Sequence, residues 1–281
     1  MTPRPKQIVI DKDAFIGINL DALCEFAKGH ALLLSATLLH ECMTTDTAEP
    51  SQLIGRFKDL LAAGARVSPS IEEIVHQEAE RLVPYGGIAV KPEDCSIDFH
   101  RNVENAERRY SRLVGRMQKT AQRFHDMLAG TNPELLAEMR ACSGRKRDRS
   151  DRVANWLNFI DSQDIHVCSQ IQLAGVTTAR DKFCLSSDWV TWHLLRLCNV
   201  ICMEQAFLAH HGGPTGAQCL EHDLQDILYV VLLSRADGLL SRDKNLVLPL
   251  ARAAFPEKDV FSSLEAVPES YRCDWAGLWC V

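Results

Sequence analysis

The sequence has no uninterrupted apolar segment of about 18 residues, the length at which a stretch becomes a candidate membrane-spanning helix. Its start, MTPRPKQIVI, contains no long apolar core, so no secretory signal peptide is expected. The 11 cysteines include no CxxC pair, and their odd number and scattered spacing favour reduced thiols over disulfides or a zinc knuckle. Together these absences predict a cytoplasmic protein.

The chain also lacks an excess of positive charge. Its formal net charge is −6, so no overall electrostatic field attracts nucleic acid, and a nucleic-acid surface would have to be a local patch. There is no GxSxG segment, so the sequence gives no support for serine-histidine-aspartate catalysis. A chain of 281 residues with 46% hydrophobic residues is nevertheless ordinary for a globular protein with a full core.

Short apolar segments rich in branched side chains are present at both ends of the chain, and each is typical of a buried strand. The predicted strands are Gln7–Asp11, Ala31–Leu34, Val67–Ser70, Gly238–Ser241 and Val260–Val267. The helices predicted around them are Leu20–Lys28, a helix capped by Ser35, Ser51–Ala63, Ile71–Leu82, Asp226–Ser234 and Leu246–Ala254. This alternation predicts an α/β fold with a central parallel sheet flanked by helices.

The middle of the chain has almost no strand signal. Its predicted helices are Ile97–Ala129, Pro133–Ala141, Arg152–Phe159 and Ser187–His210, with an exposed charged loop at Ser143–Asp151. We therefore predict that 1–91 and 212–281 form one α/β core and that 92–211 is an all-helical insertion or cap. The segment Trp189–Ala209 is apolar nearly all round, which predicts a helix buried in the cap or at a subunit contact. Arg196 within it needs a charged partner.

Carboxylates follow or flank the predicted strands. Asp11 ends the first strand, Glu41 lies on the helix that follows the second, and Asp243 follows the fourth. Asp226 is expected on the first turn of the helix before that strand. Carboxylate oxygens are the ligands that Mg²⁺ and Mn²⁺ prefer, and such ions polarise a phosphodiester and activate water. If the two ends of the chain meet in the fold, the acids form one metal site of a phosphodiesterase.

This arrangement resembles the PIN domain, a family of metal-dependent ribonucleases. The matching residues are Asp11 in VIDKDAFI, Asp13 where the family usually has Asn, Glu41 in SATLLHECM, Asp226 in DLQDILYVVLLSRAD with Asp223 as a competitor one turn earlier, and Ser241 with Asp243 in LLSRDKNL. The resemblance covers roughly 5–70 and 218–267, about 40% of the chain. The sequence departs from the family in its long insertion and in Lys12 and Asp13.

The resemblance implies a PIN-like core that acts as a Mg²⁺- or Mn²⁺-dependent endoribonuclease and leaves a 5′-phosphate. Its catalytic metal ligands would be Asp11, Glu41, Asp226 and Asp243. Asp13 or Asp223 would assist in holding the metal, and Ser241 would contact the substrate.

A stripe of basic residues lies on the predicted helix Ile97–Ala129. At about 100° per residue its members fall within an arc of roughly 80°. They are Arg101, Arg108, Arg112, Arg116, Lys119 and Arg123. A stripe of one charge sign on an acidic protein is either a track for the RNA backbone or a solvated helix face, and the sequence does not decide between these. An extension of such a track is offered by Arg145, Lys146, Arg147, Arg149 and Arg152, although Asp148 and Asp151 dilute their charge.

Two alternatives remain open at this stage. The first is a PIN-like module that binds RNA or a protein partner without cleaving. The second is a haloacid-dehalogenase-type phosphatase, because IVIDKDAF contains an apolar run followed by DxD. That enzyme would use Asp11 as nucleophile and Asp13 as acid and base, although Phe15 stands where that family expects Thr or Val. A homo-oligomer or a protein partner contacting the helical insertion is also left open.

Overall fold

A five-stranded parallel sheet forms the centre of the protein. The computed structural model describes residues 5–44, 50–86, 113–126, 148–162, 186–211, 213 and 215–273. The strands are β1 (Gln7–Ile10), β2 (Ala31–Leu34), β3 (Arg66–Val67), β4 (Gly238–Leu240) and β5 (Asp259–Phe261). Their order is β3-β2-β1-β4-β5, and every neighbouring pair is parallel. The expected α/β class with a parallel sheet is confirmed.

Strand β1 is the central strand and holds the two halves of the sheet together. Val9 pairs with Leu33 of β2 on one side and with Leu239 of β4 on the other. Ile8, Val9 and Ile10 are all fully buried, as expected for a strand covered on both faces. The chain leaves β1 toward β2 and returns from the other side at β4, so the strand order reverses between β1 and β4. Parallel α/β sheets place ligands outside the carboxyl ends of the strands at such a switch point.

Helices connect the strands and cover the sheet. They are α1 (Lys12–Gly17), α2 (Leu20–Gly29), α3 (Ala36–Thr44), α4 (Pro50–Ala62), α5 (Ile71–Arg81), the helical residues 113–126 as α6, α7 (Arg149–Ser162), α8 (Val190–His210), α9 (Ala217–Leu233) and α10 (Val247–Ala254). Local capping explains several of their starts. Ser35 Oγ accepts the Leu38 N–H at 2.9 Å, as predicted, and Ser70 forms a reciprocal capping box with Glu73.

The described residues between β3 and β4 are helices and loops only, in agreement with the predicted helical middle. Buried residues of α6, α7 and α8 belong to the same hydrophobic cluster as the sheet. Arg196 on α8 forms an ion pair with Asp161 on α7 at 2.5 Å, which supplies the partner that its burial requires. The predicted helix Pro133–Ala141 lies outside the described residues. The division into a core and an insertion between 92 and 211 stays a prediction.

Several boundaries differ from the expectation. The last strand ends at Phe261, and a single 3₁₀ turn, Leu264–Ala266, follows it where strand was predicted. Helix α9 begins at Ala217, well before Asp226. Helix α7 begins at Arg149, inside the segment predicted to be a loop. Over the residues that the structure describes, no helix is both long and apolar enough to cross a membrane.

Candidate metal centre

Asp11 lies at the switch point, between the carboxyl ends of β1 and β4. Its backbone N–H donates to Leu240 O at 3.1 Å, and its Oδ1 caps α1 by accepting the Ala14 N–H at 2.8 Å. Ser241, the first residue after β4, donates its hydroxyl to Asp11 Oδ2. Asp11 is only 2% exposed, and this burial raises the pKa of its carboxyl to about 8. The carboxylate is thus fixed in place but costly to ionise in isolation.

Glu41 lies on α3, which follows the neighbouring strand β2. It is 3% exposed, and burial raises the pKa of its carboxyl to about 7. The buried Tyr229 hydroxyl of α9 donates to Glu41 Oε2, and Lys12 Nζ lies 3.6 Å from Glu41 Oε1. Glu41 is therefore held between α1 and α9, on the β1 side of its own strand.

Asp226 connects the acidic side chains electrostatically. Burial raises the pKa of its carboxyl, and the charges of Asp243 and Asp223 raise it further. The charge of Asp226 in turn contributes to the raised pKa values of Asp11 and Glu41. Asp226 was expected on the first turn of its helix, which is wrong: it lies in the middle of α9, beyond the reach of the helix dipole.

Asp243 lies in the loop between β4 and α10 and is half-buried. Its carboxylate accepts three backbone N–H groups: those of Asn245 at 2.7 Å, Leu246 at 3.2 Å and Val247 at 2.9 Å. These bonds order the turn that leads into α10. The charge of Asp243 raises the pKa of Asp226, so Asp243 adds negative potential to the cluster. Most of its hydrogen bonds, however, are made with backbone N–H groups.

Asp13 and Asp223, the two residues predicted to assist in holding the metal, differ in their surroundings. Asp13 is exposed on the first turn of α1, and its charge contributes to the raised pKa of Asp11. Asp223 is buried on α9, where Arg149 Nη2 lies 2.5 Å from its Oδ1 and Gln205 Nε2 donates to its Oδ2 at 3.1 Å. Arg149 was expected to extend the basic track, and its ion pair with Asp223 gives it a different role.

His222 belongs to the cluster and was missed from the sequence. Its Nδ1 lies 3.2 Å from Asp226 Oδ2, one helical turn away. The hydrogen bond with Asp226, aided by the charges of Asp223 and Glu41, raises the pKa of His222 to about 9. One ligand atom from each of His222, Asp223 and Asp226 lies within 4.8 Å of the others, close enough to hold a metal ion. The spacing of four residues in HDLQD was the signal that could have identified it.

The basic stripe is described only in part. Arg116, Lys119 and Arg123 are exposed on α6. Val114, Met117 and Ala121, on the same helix, are buried. The three described cations therefore share the solvent-facing side of α6. Arg101, Arg108 and Arg112 lie outside the described residues, as do Arg145, Lys146 and Arg147. Arg152, another predicted extension of the track, is bound to the buried Glu204.

The chemistry of the cluster fits a divalent cation. Two nearly inaccessible carboxyl groups, Asp11 and Glu41, have raised pKa values because burial opposes their charge and Asp226 repels it. A bound cation would reverse both effects by stabilising the ionised forms. Comparisons of the chain with models of protein families, with curated proteins and with solved structures found no match.

Proposed function

We propose that this protein is a Mg²⁺- or Mn²⁺-dependent endoribonuclease with a PIN-like core, acting in the cytoplasm. The observation that carries the proposal is the Asp11–Ser241 pair at the switch point of the sheet, together with Asp226, whose charge raises the pKa of both Asp11 and Glu41. These carboxylates come from elements far apart in the chain, and Asp11 lies at the place where α/β folds bind ligands, which supports a shared site. Hard oxygen donors arranged in this way suit divalent ions and phosphodiester substrates.

Asp11, Glu41 and Asp226 would hold the metal, Asp223 would assist in holding it, and Asp243 would add negative charge around it. When bound, the ion supplies Lewis acidity toward a phosphate oxygen and lowers the pKa of water. The protein's own groups orient the carboxylates. Ser241 and the Ala14 N–H hold the two oxygens of Asp11, and Tyr229 holds one oxygen of Glu41. Asp11 and Glu41 are therefore positioned before the substrate arrives, which lowers the cost of assembling the site.

Removing a metal ligand should abolish RNA cleavage without unfolding the protein. We expect the purified protein to cleave single-stranded RNA in Mn²⁺ and to be inactive in EDTA. Glu41→Gln and Asp226→Asn should each lose the activity, because each removes a ligand charge while keeping the side-chain shape. Asp59→Asn on α4, which removes an exposed acid outside the cluster, is the matched control and should cleave normally. Undiminished cleavage by either site variant would refute the proposal.

The exposed face of α6 is the proposed contact with the RNA backbone. Changing Arg116, Lys119 and Arg123 together to Gln should flatten the dependence of RNA affinity on salt, because each lost phosphate contact removes about 0.7 from the logarithmic slope. The triple change should therefore remove roughly two units of slope. Fluorescence anisotropy with a labelled single strand, between low and moderate salt, measures it.

The control for this measurement is a second triple variant, Lys28, Arg81 and Arg252 to Gln, which removes exposed cations from three other helices. It loses the same total charge but leaves α6 intact, so its salt slope should match that of the parent. Equal slopes in all three proteins would mean that α6 is a solvated face. Equal losses in both variants would indicate a nonspecific charge effect.

The raised pKa values of Asp11 and Glu41 favour a second candidate, a PIN-like module that binds RNA or a protein without cleaving. Without a metal ion, such a site stays partly protonated near neutral pH and carries less charge. Calorimetric titration of the folded protein with Mn²⁺ separates the two functions: heat of binding supports the nuclease, and its absence supports the module. Trapping of a phosphorylated Asp11 would instead identify the phosphatase, although a side chain 2% exposed is poorly placed as a nucleophile.

A further inference from the structure

We propose that His222 is a nitrogen ligand of the metal ion in this site and that it makes the site select Mn²⁺ over Mg²⁺. The inference rests on the proposed function only in placing a metal ion at this end of the sheet. His222 was not part of the carboxylate set predicted from the sequence, and the carboxylates alone do not distinguish these two ions.

The geometry of α9 places one imidazole and two carboxylates side by side. His222 and Asp226 are one helical turn apart with 3.2 Å between Nδ1 and Oδ2, and Asp223 offers an oxygen within 4.8 Å of both. The His222 side chain is 71% exposed, so a hydrated ion can reach it from solvent. Asp226 is the member shared with the deeper carboxylates Asp11 and Glu41. The imidazole therefore lies on the solvent side of the proposed metal site.

A second observation at the same place is an unsatisfied buried acceptor. Gln205 of α8 is only 5% exposed, and its amide reaches the cluster by donating from Nε2 to Asp223 Oδ2 at 3.1 Å. The other atom of that amide, Oε1, has no hydrogen-bond partner among the described residues. A buried carbonyl oxygen without a partner is costly, and a cation beside Asp223 would stabilise it. Gln205 thus indicates the same region as His222 and Asp226.

The mixture of donors determines which ion binds best. Mg²⁺ prefers oxygen ligands and near-ideal octahedral geometry, whereas imidazole nitrogen suits first-row transition ions. The ion displaces the imidazole proton when it binds, and a site with carboxylates and one neutral imidazole then holds Mn²⁺ more tightly than Mg²⁺. Arg149 and Gln205 fix both oxygens of Asp223 and so orient it next to the ion, as hydrogen-bonded carboxylates do around other metal sites.

The test is metal binding without RNA, measured by calorimetry with MnCl₂ and MgCl₂ on the full chain. We expect the parent to bind Mn²⁺ roughly 10-fold or more tightly than Mg²⁺ and His222→Ala to lose most of this advantage. His222→Asp, which replaces nitrogen with oxygen, should narrow the ratio by strengthening Mg²⁺ binding. The matched control is His76→Ala, since His76 is also exposed and paired with an acid four residues on, Glu80 at 3.0 Å. It should behave like the parent.

Pulsed electron paramagnetic resonance of bound Mn²⁺ gives a direct second readout. A nitrogen coupling should be present in the parent and in His76→Ala and absent in His222→Ala. An unchanged Mn²⁺/Mg²⁺ ratio together with an unchanged nitrogen signal in His222→Ala overturns the inference even if cleavage is Mn²⁺-dependent. A ratio that depends on His222 in a protein that never cleaves RNA supports the inference and refutes the nuclease. If the parent binds neither ion, both proposals fail.

Discussion

Asp11→Asn is expected to lower Mn²⁺-dependent RNA cleavage by on the order of 10³-fold or more, since several kcal/mol of charge stabilisation depend on the metal that we propose Asp11 holds. The same variant should be more stable than the parent above about pH 8 when metal is removed with EDTA. A variant that loses activity and gains stability identifies a residue whose charge is needed for function but destabilises the folded state.

The direction of the pH effect follows from the raised pKa. Folding raises the pKa of Asp11 from its ordinary value of 3.8 to about 8, chiefly through burial. The stabilising contribution of the protonated group is fully present below pH 3.8 and is lost as pH rises toward about 8. Within that window the parent loses about 1.4 kcal/mol per pH unit from this group. Asn does not titrate, so the stability difference should grow across the window and become constant above it.

Urea unfolding in EDTA at several pH values, followed by circular dichroism, measures this difference. Asp59→Asn, at an exposed position of α4, should have the same free energy of unfolding as the parent at every pH. Added Mn²⁺ should stabilise the parent at neutral pH more than it stabilises Asp11→Asn. The stability advantage of the variant over the parent should therefore shrink or reverse. A difference that does not change with pH would show that Asp11 is not perturbed by burial and would remove the physical basis of the site.

The sheet was predictable from the sequence because its signals are local. Strands β1 and β2 are short runs of Ile, Val and Leu buried on both faces, and no helix period competes with them. Ser35 also signals the start of α3 through its own side chain. The position of Asp11 after β1 therefore followed from the pattern. That β4 lies beside β1, which brings Ser241 to Asp11, is a long-range pairing, and only the resemblance suggested it.

Features that depend on contacts between distant elements were not predictable. The mixed polarity of GAQCLEH predicts no helix before Asp226, whereas in the fold Leu220 packs into the core and α9 begins at Ala217. The charged segment around Arg149 predicts a solvated loop, but Asp223, far away in the sequence, forms an ion pair with Arg149. The sequence does not single out His222 for a related reason: its proposed role as a ligand depends on Asp226 and on the buried acids near it.

The ion pairs of α8 also depend on contacts between distant elements that the sequence predicts only in part. The sequence predicted that Arg196 needs a partner, and Asp161 provides it. It gave no indication of Glu204, which is 0% exposed and receives Nε and Nη2 of Arg152 and Nε1 of Trp156. The shortest of these contacts, Arg152 Nη2 to Glu204 Oε1, is 2.6 Å. All three donors come from α7, so one buried carboxylate joins the two helices.

Arg152→Leu should be the most destabilising single change in this helical region. It leaves the Glu204 carboxylate buried without its countercharge, and breaking such a pair typically costs about 3–5 kcal/mol. Equilibrium urea unfolding measures the loss, with the unfolding slope used to check that the transition remains two-state. Lys28→Leu is the control, because it breaks an exposed ion pair with Glu25 on α2 and should leave the unfolding midpoint unchanged.

The double variant Arg152→Leu with Glu204→Leu separates charge from packing. Removing both partners eliminates the buried unpaired charge, so the double variant should recover most of the stability that Arg152→Leu alone loses. Trp156 Nε1 keeps an unsatisfied donor in that protein, which limits the recovery. If the double variant is as unstable as the single one, the lost stability comes from the packing of the Arg152 side chain on Phe207 and not from the uncompensated charge of Glu204.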